Sequence, residues 1–230
     1  LIVIDGMGGH SDGSRAADTA LKTLSESFRQ CSQPLLDPLG LLHMSLSKAH
    51  ADVVRMRSAL SIDSRPRATT ALCLVQEGAA FWAHVGDSRL YLVRGGGIYA
   101  MTEDHSAVRD MVNRGLITAA EAKHHADRNV ILRALGTRES VEISTWSEPL
   151  PVREGDGFLL CSDGLHDLVK DDELLDAAGR LDPAGACEHL VRLARERGGY
   201  DNITVAVVRL EGGASGQTAA PDTRDLGVTS

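Results

Sequence analysis

The stretch TTALCLVQEGAAFWAHVGDSRLYLVRGGG, residues 69–97, decides the fold class of this 230-residue chain. Apolar residues alternate with period two in three successive segments, TTALCLVQ, AAFWAHVG and RLYLVRGGG, and short turns separate them. Period-two alternation bounded by turn residues is typical of β-strands joined by tight turns. The stretch therefore predicts three consecutive strands that form a meander.

Helical patterns flank this meander on both sides. Two long segments before it and two after it have apolar residues at helical spacing, and the last of these begins with a favourable proline; they are residues 14–30, 41–60, 171–181 and 183–198. Residues 101–125 predict two short helices with a glycine break between them. Further strands are predicted at LIVI (1–4), VEISTW (141–146), GDGFLLC (155–161) and NITVAVVRL (202–210). Since strands and helices do not alternate strictly, the order predicts antiparallel sheets covered by helices.

The composition excludes several classes of protein. The chain is 43% hydrophobic with a net charge of −8, which argues against nucleic-acid binding and against docking on anionic lipid. No stretch approaches the roughly 20 apolar residues of a membrane span. The four cysteines form no C-x-x-C pair, which predicts reduced thiols in a cytoplasmic protein rather than a zinc site. Residues 211–230 lack an apolar period and predict a disordered tail.

Four acids stand at the predicted strand boundaries. Asp5 follows LIVI, and Asp87 and Asp163 follow two later strands, while Asp201 precedes the last one. In an antiparallel sheet the end of one strand lies beside the start of its neighbour, so all four can meet at one edge. Each acid alone is more commonly a turn residue, because Asp-Gly is a frequent turn pair. Together they predict a site for Mg²⁺ or Mn²⁺, because grouped carboxylates repel one another without a cation.

Six motifs in order carry a resemblance to a known family. They are DGMGGH (5–10), HVGDSRLYLVR (84–94), TEDHSAVRDMVNRGLIT (102–118), RNVILRALG (128–136), GDGFLLCSDGLHDLV (155–169) and DNITVAVV (201–208). The chain resembles the metal-dependent serine/threonine protein phosphatases of the 2C type, in their bacterial form. The resemblance implies a mixed α/β, four-layer α-β-β-α sandwich of two antiparallel sheets flanked by helices, with residues 1–210 as the catalytic domain.

The resemblance also implies roles for the acids. Asp5 would bridge two metal ions, the Gly6 carbonyl would bind one of them, and Asp163 and Asp201 would complete the second. Asp87, with Asp163, would hold a third and weaker ion. Two Mn²⁺ or Mg²⁺ ions would then activate a water that attacks the phosphate of phosphoserine or phosphothreonine. Asp5 and Asp163 are the expected catalytic residues, and no residue is assigned to substrate binding.

Some positions depart from the family pattern. Met7 stands where some relatives carry a histidine, so we expect metal-bound water to protonate the leaving group and His10 to fix the glycine turn. Residues 103–135 resemble the bacterial flap, a solvated and mobile lid that would contain His105, His124, His125 and Arg128. Arg89 is expected to anchor the edge of the metal site. Arg15 is a further candidate for phosphate charge.

The strand that precedes LIVI in the family, with its phosphate-binding arginine, is absent from this sequence. We expect the chain to be a fragment of a longer product, with a naturally shortened protein as the alternative. On either interpretation we expect weak affinity for the phosphosubstrate and partial retention of metal binding.

Three functions follow. The first is a phosphatase for phosphoproteins, which would oppose bacterial serine/threonine kinases. The second is a catalytically impaired pseudophosphatase that binds phosphoproteins, and the intact set of acids speaks against it. The third is a metal hydrolase for small phosphate esters, which a comparison of phosphopeptides with sugar phosphates would test.

Overall fold

Two antiparallel β-sheets form the centre of the computed structural model, which describes residues 1–8, 10–56 and 66–212. The first sheet has the strand order β1-β2-β3-β6, and β7 also pairs with β3. Its strands are β1 (Ile2–Met7), β2 (Arg67–Gln76), β3 (Ala79–Val85), β6 (Ser144–Thr145) and β7 (Leu150–Pro151). The second sheet has the order β5-β4-β8-β9. Its strands are β4 (Arg89–Arg94), β5 (Gly97–Ala100), β8 (Gly157–Cys161) and β9 (Val205–Arg209).

Long helices cover the outer face of each sheet. The helices α1 (His10–Arg29) and α2 (Pro38–Arg55) pack on the first sheet, and α6 (Asp171–Arg180) and α7 (Pro183–Glu196) pack on the second. Three short helices lie in the connections: α3 (Ala107–Asn113), α4 (Ala119–Ala122) and α5 (Asp163–His166). The predicted four-layer α-β-β-α sandwich is confirmed.

Period-two alternation explains the layers. In β4, Leu90 and Leu92 lie between the two sheets, whereas Tyr91 and Val93 pack towards the outer helices of the second sheet. Because both faces of the strand are covered, successive residues alternate between two apolar clusters. The chain can therefore build three apolar layers with few aromatic residues.

The three predicted strands are present as β2, β3 and β4, but they do not form the predicted meander, because β2 and β3 pair in the first sheet whereas β4 pairs with β5 and β8 in the second. The strand β5 was not predicted. The turn between β2 and β3 is Glu77-Gly78, and both residues have positive φ, 49° and 77°. The turn between β4 and β5 is Gly95-Gly96, with φ of 59° and 78°. Two successive residues with positive φ match the twist of adjacent antiparallel strands, and glycine adopts this conformation without strain.

Several element bounds differ from the predictions. The first strand does not end at Ile4, because Gly6 and Met7 continue to pair with Ala68 and Arg67. The first helix begins at His10 rather than at Ser14, and Asp12 in its first turn favours that earlier start. The segment VEISTW yields only the two paired residues of β6, and β7 was missed because it is equally short.

Two predictions fall partly on residues outside the described ranges. These are the end of the second long helix, at 57–60, and the tail, of which 213–230 lie outside. None of the helices within the described ranges is both long and apolar enough to cross a membrane.

Candidate metal centre

Asp5 lies within β1, directly opposite Thr69 of β2. The next residue, Gly6, packs backbone to backbone against Gly13 of α1, and a Cβ atom on Gly6 would overlap the Gly13 carbonyl group. This contact brings the first helix against the strand that carries Asp5. Glycine is required at Gly6 because the obstructing atoms belong to the backbone and cannot rotate away.

Asp87 is held in the turn between β3 and β4. Gly86, with φ of 103°, precedes it and packs against the Thr69 side chain. The hydroxyl groups of Ser88 and Thr69 form a buried hydrogen bond of 2.8 Å. Since Thr69 is also the partner of Asp5 in the sheet, one residue of β2 fixes two of the four predicted acids.

Asp163 and Asp201 are joined through Ser162. The Ser162 hydroxyl donates to the Asn202 carbonyl at 3.1 Å and accepts from the Thr204 amide at 3.1 Å. Gly164 approaches the Asn202 carbonyl so closely that a Cβ atom would overlap it. These contacts place the start of α5 beside the loop before β9, although the two acids are far apart in sequence.

The four acids share one electrostatic environment. Burial, followed by the charges of Asp163, Asp201 and Asp87, raises the pKa of Asp5 from 3.8 to about 7. Burial and the charge of Asp163 likewise raise the pKa of Asp87 to about 7. Burial also raises the pKa of Asp163. The sequence prediction that these acids meet at one edge of the sheets agrees with this mutual repulsion.

No cation of the protein forms an ion pair with any of the four acids within the described residues. Arg89 pairs with Asp104 through two hydrogen bonds of 2.8 and 2.6 Å. Arg89 therefore contacts an acid outside the set of four, and its anchoring role at the metal site stays a prediction. Arg15 lies 3.5 Å from Asp12 and is mostly exposed, so its charge is directed to its own helix.

A buried histidine that the sequence interpretation missed connects two of the acidic segments. The His166 side chain is only 4% exposed, and its Nε2 lies 3.0 Å from the carbonyl oxygen of Asp87. Because a carbonyl can only accept, Nε2 donates this hydrogen bond. His166 follows Asp163 by one helical turn in α5, so it links the Asp163 helix to the Asp87 turn.

His105 was predicted to lie in a solvated lid, and this prediction is wrong. Its Nδ1 accepts from the Gly86 amide at 3.1 Å, its Nε2 lies 2.8 Å from the Ser144 hydroxyl, and its ring stacks on His84 at 4.5 Å. Burial, with the charges of His84 and Arg133, lowers the pKa of His105 to about 3. His124 and Arg128 are exposed as predicted, and His125 is partly buried. The His10 side chain lies outside the described part of the structure.

The predicted donor set would fit a hard divalent cation. It would consist of four carboxylates and the Gly6 carbonyl, and oxygen-only ligands favour Mg²⁺ or Mn²⁺ over zinc. Within the described residues, no three His, Cys, Asp or Glu side chains are already arranged as a metal-binding group. One oxygen of Asp163 and one of Asp201 accept from the next backbone amide, each at 2.7 Å. The carboxylates therefore share a site and repel one another, and a cation would draw them together.

Comparisons with known proteins show what the whole chain is similar to. The family model described as Protein phosphatase 2C matches residues 1–196. A serine/threonine phosphatase, stp, of Listeria monocytogenes is 31% identical over 226 residues, which cover 96% of this chain and 88% of that protein. The crystal structure of the Mycobacterium tuberculosis serine/threonine phosphatase PstP/Ppp is 34% identical with a TM-score of 0.83, over 92% of this chain and 88% of that one. A structure of the PstP catalytic domain in complex with two manganese ions is 31% identical with a TM-score of 0.79, over 92% of this chain and 87% of that one.

Proposed function

The chain belongs to the protein phosphatase 2C family, and on that premise we propose that it hydrolyses phosphoserine and phosphothreonine in proteins with the aid of divalent metal ions. The observation that carries this proposal is the group of four acids that repel one another and have no ion-pair partner among the described residues. Such a group of acids would bind divalent metal ions. A phosphate monoester would react at these ions.

The proposed metal ligands are the carboxylates of Asp5, Asp87, Asp163 and Asp201 and the carbonyl of Gly6. When bound, two divalent ions lower the pKa of a water molecule and screen the charge of the phosphate. Asp5 is suited to the shared position, because the charges of the three other acids all act on it. Asp163 and Asp201 are suited to one side of the site, since Ser162 fixes their loops to each other.

The two buried cysteines are unsuited to a covalent route. Burial raises the pKa of Cys73 and of Cys161 to about 12. A thiol with so high a pKa is protonated at neutral pH and is a poor nucleophile. The proposed route therefore attacks the phosphate directly with water and forms no phosphoenzyme.

Manganese or magnesium is the proposed ion. The oxygen-only donor set supports either of them, and the relative whose structure contains two manganese ions supports manganese. We further propose a third, weaker ion between Asp87 and Asp163. The charge of Asp163 raises the pKa of Asp87. The two carboxylates therefore interact, as two ligands of one ion would.

The proposed substrates are phosphoproteins produced by serine/threonine kinases. The serine/threonine phosphatases among the relatives support this class of substrate. We place the reaction in the cytoplasm. All four cysteines lie in the described ranges and are free thiols, which supports a reducing compartment. The proposed catalytic unit is residues 1–210, since the last strand ends at Arg209.

The comparisons give no support to the catalytically impaired alternative, since the relatives are named as phosphatases. The decisive experiment is phosphate release from a phosphothreonine peptide with added Mn²⁺, with a chelator, and with Asp163→Asn. The matched control is Asp18→Asn, because Asp18 is exposed on α1 away from the site. We expect turnover that requires the metal, is lost in Asp163→Asn and is unchanged in Asp18→Asn. Turnover that persists in the presence of the chelator would contradict the proposal.

A further inference from the structure

A cleft of about 320 Å³ opens beside the metal centre, between β3 and β6 on one side and α3 on the other. The side chains that matter for its chemistry are Trp82, His84, His105, Arg109, Leu132 and Trp146. None of these belongs to the proposed set of metal ligands. The cleft is therefore a separate feature of the surface.

One wall of the cleft is aromatic and already in place. Trp82 is 2% exposed, and its Nε1 donates to the Met101 carbonyl at 2.9 Å. Trp146 stacks on it with ring centroids 5.7 Å apart and planes 20° apart. Trp146 and Leu132 are 41% and 43% exposed. Exposed large apolar groups around a preformed cleft are typical of a surface that another molecule covers.

The floor of the cleft consists of the stacked imidazoles of His84 and His105. Burial lowers the pKa of both rings, so both are neutral near pH 7. The Nε2 of His84 donates to the Glu103 carbonyl at 2.8 Å, and both nitrogens of His105 are hydrogen-bonded. The floor therefore offers flat, neutral rings rather than charged groups.

The rim carries a cation that has no ionic partner. Arg109 of α3 is partly buried. Its backbone amide donates to the Ser106 hydroxyl at 3.3 Å, and its guanidinium forms no ion pair within the described ranges. Its charge helps to lower the pKa of Asp104, after the stronger contribution of Arg89. Asp104 is already satisfied by Arg89. The guanidinium of Arg109 remains available to an anionic group that enters the cleft.

Contacts of His105 link the cleft to the turn that carries Asp87. The His105 backbone amide donates to the Gly86 carbonyl at 3.0 Å, and the Gly86 amide donates to the His105 ring. Gly86 directly precedes Asp87. The floor of the cleft thus contacts the turn that carries a proposed metal ligand, which puts the cleft next to the place where a phosphorylated residue would bind.

We propose that this cleft binds a large apolar or aromatic side chain of the substrate protein, close in sequence to the phosphorylated residue, and that Arg109 pairs with an acidic residue beside it. The proposal rests on the proposed phosphatase function. A volume at the lower end of the range for ligand pockets suits one side chain better than a drug-sized molecule.

The two tryptophans make binding visible without turnover. They are the only tryptophans in the sequence, and both lie at this cleft. Peptides with a non-hydrolysable phosphothreonine analogue are titrated while tryptophan emission is recorded, with phenylalanine or alanine scanned through the neighbouring positions. We expect the emission to change for a phenylalanine peptide at one offset and not for its alanine counterpart. Equal responses at every offset would overturn the inference.

Kinetics with phosphopeptides provide the second test. We expect the phenylalanine peptide to have about tenfold higher kcat/KM than the alanine peptide. Trp146→Ala should remove this preference through KM, Trp146→Phe should keep most of it, and Arg109→Gln should remove the preference for an adjacent acid. Hydrolysis of free phosphothreonine should be unchanged in all three variants.

The two proposals fail in different ways. A preference unaffected by Trp146→Ala, or an equal loss on free phosphothreonine, would overturn the cleft assignment and leave the phosphatase intact. If no peptide is hydrolysed with Mn²⁺, the proposed function fails, and the fluorescence titration still decides whether the cleft binds the side chain.

Discussion

At the scale of single residues, His166 shows how a side chain without a metal-ligating role can set the geometry of the acids. It is buried, and it joins the Asp87 carbonyl to the helix that begins at Asp163. Its Nδ1 lies 3.3 Å from Asp167 Oδ1 but without hydrogen-bond geometry. Among the described residues, the contact with Asp87 is thus the one hydrogen bond of the ring.

We predict that His166→Ala lowers Mn²⁺ affinity or kcat by about tenfold, because residues that position metal ligands commonly contribute this much. His166→Gln is the matched control, since its amide can still donate to the Asp87 carbonyl. Isothermal titration with Mn²⁺ measures the affinity without turnover. An unchanged titration and an unchanged kcat in His166→Ala would show that the contact is dispensable.

Two Gly→Ala substitutions distinguish the effect of close packing on stability from the effect of helix propensity. We predict that Gly6→Ala severely destabilises the protein and abolishes Mn²⁺ binding, because the new Cβ would overlap the Gly13 backbone. The same change at Gly179, which is exposed in α6 with no atom near the new methyl group, should stabilise it by up to about 1 kcal/mol. Urea unfolding measures both effects. Equal stability of the two variants would contradict this account.

The sequence identifies the acids but not the residues that position them. Asp5, Asp87, Asp163 and Asp201 could be predicted because each adjoins an apolar strand, and strand ends of a sheet meet. His166 and His105 could not be predicted, because their partners are distant in sequence or belong to the backbone. The bond between His166 and Asp87 spans 79 residues, and no local pattern records a contact of that kind.

At the scale of elements, period two predicts strands well only where they are long. The segments of β2, β3 and β4 were all predicted from period two, because their alternating residues enter two separate apolar layers. The two-residue strands β6 and β7 carry too few residues to show a period. Their positions are set by pairing with β3, which is a tertiary property.

A buried ion pair connects the second sheet to β7. Arg94 of β4 donates to both carboxylate oxygens of Asp156, at 2.8 and 2.6 Å, and to the Pro151 carbonyl at 2.8 Å. The side chains are 6% and 3% exposed. Removal of the arginine alone would leave a buried carboxylate with only the Arg153 amide as a described partner.

We predict that Arg94→Met destabilises the protein by about 3 kcal/mol in urea unfolding, since an unpaired buried charge is costly. The double variant with Asp156→Asn should recover part of this loss, because the charge is then removed. Arg180→Met is the matched control, since Arg180 pairs with Asp176 on the exposed surface of α6 and should change stability little. A double variant less stable than Arg94→Met would argue against a charge effect.

At the scale of the whole molecule, the four layers were predictable because helices stand at both ends of the chain and most of the strands lie between them. The layered core is built mainly from Leu, Val and Ala on regular periods, so its class follows from the sequence. The path of residues 101–146 could not be predicted from the sequence, because this segment contains only the short helices α3 and α4 and the two-residue strand β6. Their positions depend on contacts with β3 and with the Gly86 turn.

The acids at the metal centre link stability to pH. The pKa values of Asp5 and Asp87 are about 7 in the folded protein and 3.8 ordinarily. Between about pH 4 and pH 7 the folded state therefore binds more protons than the unfolded state, and stability falls as the pH rises through this window. The buried histidines His84 and His105 act in the opposite direction below their ordinary pKa of 6.5, so a difference between variants is the useful quantity.

We predict that the metal-free Tm of Asp5→Asn exceeds that of the wild type by more at about pH 8 than at about pH 5, because the substitution removes a repelled charge only where that charge exists. Added Mn²⁺ should raise the wild-type Tm most at about pH 8, where the carboxylates are free to bind it, and should raise that of Asp5→Asn less. Asp18→Asn should follow the wild type in both measurements. Calorimetry with and without a chelator measures all three proteins. If Asp5→Asn were the less stable protein at about pH 8 without metal, the four acids would not repel one another as described, and the case for a cation at their centre would lose its basis.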